Sequence, residues 1–237
     1  MAKKGRIYHL KRLATKKLLA IRGKKHKVFL TSPSPGPHPK KDSIALAVLL
    51  RDELGICADF TEARKLLKNS LVFVDGKIVK DPKRPIGLMD IIFVKPSNKY
   101  WRMEIIDKKL HAKELKNSNQ VNFKYCKVIK KHTIKKGKIS LTLHDSKTII
   151  GDNKIMVGDT IKVSLPDVKL VKLLKLQPGA FCYIFRGKHA GTIGVLDKII
   201  ELKGSMASIA VLKDQNKAEI RTASNYIMVI DEEFSNG

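Results

Sequence analysis

Residues 185–194 read FRGKHAGTIG, three glycines and a lysine within ten positions. Glycine with lysine is a composition from which proteins build phosphate cradles. A nucleotide P-loop needs glycine, four residues, then Gly-Lys-Ser/Thr opening a helix. Here Lys188 directly follows the first glycine, no Gly-Lys-Ser/Thr occurs, and the following TIGVLDKIIEL has the β-branched content of a strand. A dinucleotide fingerprint fails for the same reason, since it belongs to a βαβ unit. The expected structure is a tight turn between two strands, whose glycines allow positive φ and close backbone approach. Arg186, Lys188 and His189 then stand at its tip as phosphate contacts.

Other residue types offer less chemistry. The seven histidines, His9, His26, His38, His111, His132, His144 and His189, fall singly, without i,i+4 pairing or a neighbouring cysteine in sequence. They are expected to be exposed or phosphate-adjacent and not metal ligands. His144–Asp145 is half of a catalytic triad with no nucleophile motif, and reads as a strand end. Asp75, Asp90, Asp152 and Asp159 sit beside glycine or at turns, where aspartate hydrogen-bonds locally. Cys57, Cys126 and Cys182 are too far apart for a disulfide framework or a metal quartet and read as buried thiols. No catalytic residue, metal, cofactor or small-molecule substrate is expected.

Charge supplies the positive signal. The chain of 237 residues carries 48 Lys+Arg against 22 Asp+Glu, a net +26. Such an excess repels itself unless a polyanion offsets it, and nucleic acid fits best. Charge alone does not separate DNA from RNA. Half of the excess lies in residues 1–41, which contain no acid. The contacts expected there are Lys3, Lys4, Arg6, Lys11, Arg12, Lys16, Lys17, Arg22, Lys24, Lys25, His26, Lys27, Lys40 and Lys41. Aromatics make up only 6% of the chain, so backbone and shape readout is expected over base stacking. Tyr100 and Trp101 are open to either a base-stacking or a core role. The longest apolar run, residues 44–50, is far short of the roughly 18–20 residues of a membrane span. A soluble, intracellular protein with no membrane partner and no self-association is expected.

Four segments must position these residues. Residues 1–41 pair a thin stripe, Leu10, Leu13, Leu18 and Ile21, with alternating prolines at 33, 35, 37 and 39. This is expected to be a basic arm that orders only against a phosphate backbone. In 42–104 a helix is expected over SIALAVLLRDEL, capped by Asp42 or Ser43 and stopped by Gly55. A second follows Asp59, with Glu62 at capping-box spacing and Ala63, Leu66 and Leu67 buried. Its opposite side carries Arg64, Lys65 and Lys68, three or four residues apart and so one basic face. A hairpin about Asp75–Gly76 and a strand over 90–94 complete the segment. Residues 105–172 alternate as short strands with a KKGK turn at 135–138, and 173–237 hold five more. The fold class is α+β and multidomain: arm, small two-helix and hairpin domain, central β-rich domain, and C-terminal small β-barrel.

Three strings in this order, GPHPKKDSIALAVLLRD (36–52), VDGKIVKDPKRPIGLMDII (74–92) and PGAFCYIFRGKHAGTIGVLDKI (178–199), resemble the archaeal and eukaryotic small-subunit ribosomal S-four-e family. The last is similar to the KOW motif. The resemblance implies a non-enzymatic structural component of the small (30S) subunit, binding its 16S rRNA beside neighbouring ribosomal proteins in the cytoplasm. It implies an S-four-type RNA-binding domain over 42–104 and a KOW-type barrel over 173–237. It adds Lys83 and Arg84 to the basic face. The chain ends soon after the KOW-like segment, as expected of an archaeal member. The competing readings are an RNA-modifying enzyme and a free KOW-type transcription or translation factor.

Overall fold

The computed structural model describes residues 10–19, 21, 28–116, 118–202, 208–214 and 218–235. It divides into two compact units, residues 1–103 with 109–113, and residues 104–108 with 114–237.

The first unit begins with β1 (Leu10–Lys11) paired antiparallel to β2 (Phe29–Leu30). The expected helical stripe does not form: Leu13 is exposed, whereas Leu19, Ile21 and Leu30 are buried. Where it is described, the arm buries these three residues against the protein. β3 (Ile44–Ala45) follows, then α1 (Leu46–Val48), continued as a π-helical turn over Leu49–Glu53. The helix expected from residue 43 starts later because 44–45 pair with β6 (Pro85–Ile86). Every residue from Ser43 to Leu50 is buried, so this run is surrounded and has no solvent face.

α2 (Phe60–Lys68) follows the amphipathic pattern, with Ala63 and Leu67 buried and Leu66 half-buried. The expected capping box is displaced by one residue. Asp59 is the extended N-cap but makes no side-chain cap bond, and Glu62 Oε2 accepts from Ala58 N at 2.7 Å. β4 (Val72–Val74) and β5 (Lys77–Ile78) form the hairpin expected at Asp75–Gly76. Both turn residues have positive φ, 50° and 75°, the two left-handed positions of a type I′ turn. β7 (Ile91–Val94), β8 (Lys99–Ile106) and β9 (Lys109–Leu115) complete a five-stranded sheet of order β5-β4-β7-β8-β9. Trp101 is buried and Tyr100 stacks on Phe93 at 4.3 Å, which places both in packing.

In the second unit β10 (Phe123–Thr133), β11 (Ile139–Leu143), β12 (Thr148–Gly151), β13 (Thr160–Ser164) and β14 (Leu170–Leu174) form an antiparallel sheet of order β12-β11-β10-β13-β14. Cys126, Val128, Leu141, Leu143, Ile155, Ile161 and Val163 fill its core. β15 (Phe181–Ile184), β16 (Ile193–Ile200), β17 (Ile209–Lys213), β18 (Glu219–Ala223) and β19 (Ile227–Val229) follow as β18-β17-β16-β15-β19, so the last strand lies beside the first. α3 (Glu232–Ser235) brings Phe234 against both Tyr125 and Tyr183. The two sheets of this unit therefore share aromatic packing. No helix among the described residues is long and apolar enough to cross a membrane.

Candidate nucleic-acid interface

α2 presents Arg64, Lys65 and Lys68 to solvent, and none has an acidic partner among the described residues. A helix buries one face here because Ala63 and Leu67 must leave water, and that fixes the opposite face as cationic. Lys83 is exposed and Arg84 half-buried, with the Arg84 Nε buried and unpartnered among the described residues. Their loop is tied to α1: Leu46 N donates to Arg84 O at 3.0 Å and Ala47 N to Pro82 O at 3.0 Å. α1 in turn packs on α2. Helix face and loop thus belong to one packed body.

The proline-rich strap is fastened to the same loop. Ser34 N donates to Lys83 O at 2.8 Å, and Gly36 approaches Pro85 so closely that a Cβ would stand 2.7 Å from its ring. His38 is buried with its Nε2 3.0 Å from Asp90 Oδ1, while Asp90 Oδ2 accepts from Gly87 N. His38 was expected to be exposed or phosphate-adjacent. The fold places it in a latch instead. Of the other arm residues, Lys11, Lys16, Lys17, Lys40 and Lys41 are exposed. Arg12 is buried and ion-paired to Asp52 at 2.6 Å, so its guanidinium is turned inward and not toward an external phosphate. Lys3, Lys4, Arg6, Arg22, Lys24, Lys25, His26 and Lys27 lie outside the described residues.

The loop between β15 and β16 is the turn expected for FRGKHAGTIG, and it enters a strand, not a helix. Gly187 and Gly191 have φ of 95° and 100°. Gly191 also allows close approach, since a Cβ there would meet Ile105 O at 2.9 Å. Arg186 and Lys188 are exposed and His189 half-buried.

Sequence separation hid several groupings. Cys126, His144 and Asp145 come together with ligand atoms within 4.8 Å of one another, although no cysteine neighbours that histidine in sequence. Asp145 is already held by Lys124 and Lys147, each at 3.2 Å, and His144 Nδ1 accepts from Lys127 N at 3.3 Å. A cation there would have to displace two ammonium groups, so the donor set fits a metal poorly. Lys127 is buried and donates to the carbonyls of Ser224, Asn225 and Ile227 at 3.0, 3.1 and 2.7 Å. Burial pushes its pKa down to about 8. All three cysteines are buried and none is in a disulfide, and burial pushes the Cys182 thiol up to about 12. Asp75 and Asp159 are buried and hold backbone amides at turns: Ile91 N for Asp75, Met156 N and Leu176 N for Asp159.

Comparison with known proteins bears on the same regions. Residues 46–92, from α1 through the start of β7, match the S4 domain, and residues 97–170 match the ribosomal family S4e. A small ribosomal subunit protein eS4 from Nanoarchaeum equitans is 37% identical over 81% of this chain and 82% of its own length. That from Methanocaldococcus jannaschii is 34% identical over 98% of each. That from Caenorhabditis elegans is 33% identical over 94% of this chain and 85% of its own. The crystal structure of 30S ribosomal protein S4e from Thermoplasma acidophilum superposes with a TM-score of 0.69 at 31% identity, covering 80% of this chain and 95% of that one. With identity above 30% spread along most of the chain, and the S4 match spanning the helix that bears the unpaired cations, the protein belongs to the ribosomal family S4e.

Proposed function

We infer that the protein is a structural constituent of the small ribosomal subunit, located on the ribosome in the cytoplasm. It binds small-subunit rRNA through phosphate-backbone and shape contacts, among neighbouring ribosomal proteins. The observation that carries this reading is the α2 face, where Arg64, Lys65 and Lys68 stand exposed and without acidic partners inside an S4 domain. Lys83 and Arg84 extend the contact, Arg186, Lys188 and His189 serve it at a KOW-type barrel over 173–237, and the exposed arm lysines add to it. A scaffold role is favoured over RNA modification because the group most like a catalytic cluster, Cys126 with His144 and Asp145, is committed to buried pairing.

Cations on phosphates release counterions, so affinity must fall steeply with salt. The variant Arg64→Gln/Lys65→Gln/Lys68→Gln is expected to bind rRNA at least about tenfold more weakly near 0.1 M salt. Its log–log salt slope should shrink by about 2, at ~0.7–0.9 per lost phosphate contact. Filter binding across a salt series measures both, and sucrose-gradient sedimentation with small subunits reads the assembled state. An unchanged slope with an unchanged midpoint would remove α2 from the interface.

A further inference from the structure

The central sheet carries a feature that neither its core nor the S4 face explains. β10 pairs with β13 only as far as Lys127. From Lys130 to Thr133 its ladder partner is β11, so the two strands run on as a ribbon flanked by β12. Between residues 130 and 138 the sequence holds five lysines, one histidine and no acid. Lys130, His132, Lys135 and Lys138 are exposed, and none has an acidic partner among the described residues. The nearest acid in sequence, Asp145, is committed to Lys124 and Lys147.

The ribbon is built to be stiff. Lys131 turns to the core side and donates to Asn153 O and Oδ1 at 2.7 and 2.9 Å, tying the strand to the turn after β12. Ile134 N donates to Lys138 O at 2.7 Å across the tip, and Gly137 takes φ 68° with open space around it. The ladder is irregular between Val128 and Lys130, a bulge that increases twist and re-aims side chains. Ile134, at the tip, is 43% exposed although it is apolar. The buried residues of this ribbon end at Leu141 and Ser140, opposite Lys131 and His132, so the core accounts for the strands and not for the unpaired lysines around the tip. The lysines of strand and tip concentrate like charges that repel without an external anion.

We propose that the β10–β11 tip is a second RNA-binding element, separate from α2. It lies across a groove of double-stranded RNA, with Lys130, Lys135 and Lys138 on phosphates and Ile134 against the sugar edge. This rests on the reading of the protein as an rRNA binder. Pre-organisation by Lys131 lets the lysines engage with little ordering on contact.

The test uses the full chain and a small-subunit rRNA transcript, comparing the parent with Lys130→Gln/Lys135→Gln/Lys138→Gln and with the α2 triple variant. The expected result is about tenfold weaker binding near 0.1 M salt, a salt slope smaller by about 2, and an unchanged melting temperature. Crosslinks from the parent should include the peptide spanning 131–138. Parent binding and an α2 effect, with the hairpin variant within twofold of the parent, would overturn the proposal while leaving the rRNA reading intact. No parent binding would overturn both. Normal binding to naked RNA with lost incorporation into subunits would assign the tip to an acidic protein neighbour and likewise overturn it.

Discussion

Replacing Asp145 by asparagine is expected to destabilise the protein by about 3 kcal/mol, the lower end of what breaking a buried pair costs. The Lys124 and Asp145 side chains are 0% and 1% exposed, and their N–O distance is 3.2 Å. Burial on its own would raise the Asp145 carboxyl, but Lys124, then His144 and Lys147, outweigh it and hold the pKa down to about 2. A carboxyl depressed from 3.8 contributes stability that is complete above about pH 4 and is lost as pH falls toward 2. A shift of that size corresponds to about 2 kcal/mol. Urea unfolding from pH 6 down to pH 2 should show this acid limb in the parent and a shallower one in the variant. Adding Lys124→Met to Asp145→Asn removes the stranded ammonium and should recover most of the loss. If the double variant is no more stable than the single one, the pair is not the source of the effect.

That pair also marks where sequence reading stops. Local signals were legible: the Asp75–Gly76 hairpin, the amphipathic spacing of α2 and its cationic face, and the glycine turn between β15 and β16 each depend on residues a few positions apart. The helix expected over 43–54 starts only at Leu46, because Ile44 and Ala45 pair with Ile86 and Pro85, about forty residues away. A run that is apolar on every side carries no periodicity to date its start. Charge predicts exposure on average. Lys124 and Lys127 escape that rule only because Asp145, at a separation of 21, and the carbonyls of Ser224, Asn225 and Ile227, near 100, receive them. The arm misled for a related reason. Its charge is visible in composition, but the buried Arg12 and His38 depend on Asp52 and Asp90, which only the fold brings near.

The strap gives the second large effect. Gly87 has no positive-φ requirement, yet a Cβ there would stand 2.4 Å from the His38 ring, at its Cγ and not at a flexible end. Gly87→Ala must therefore push His38 off Asp90 and loosen residues 34–41 from the loop bearing Lys83 and Arg84. A stability loss of roughly 2–3 kcal/mol is expected, from overpacking together with a disrupted buried polar pair. Faster tryptic cleavage at Lys40 and Lys41, both exposed, should report the release. The effect on RNA has a distinctive form. No cation that meets phosphate is removed, so the salt slope should stay as in the parent while affinity falls several-fold, because the loop must now be ordered on binding. Lys83→Gln should do the reverse, lowering the slope by about 0.7–0.9 with stability unchanged. A drop in slope for Gly87→Ala would mean that Lys40 and Lys41 lose their phosphate contacts when the strap is released. Unchanged affinity would mean that the loop holds its shape without the latch, leaving His38 and Asp90 to stabilise the S4 domain alone.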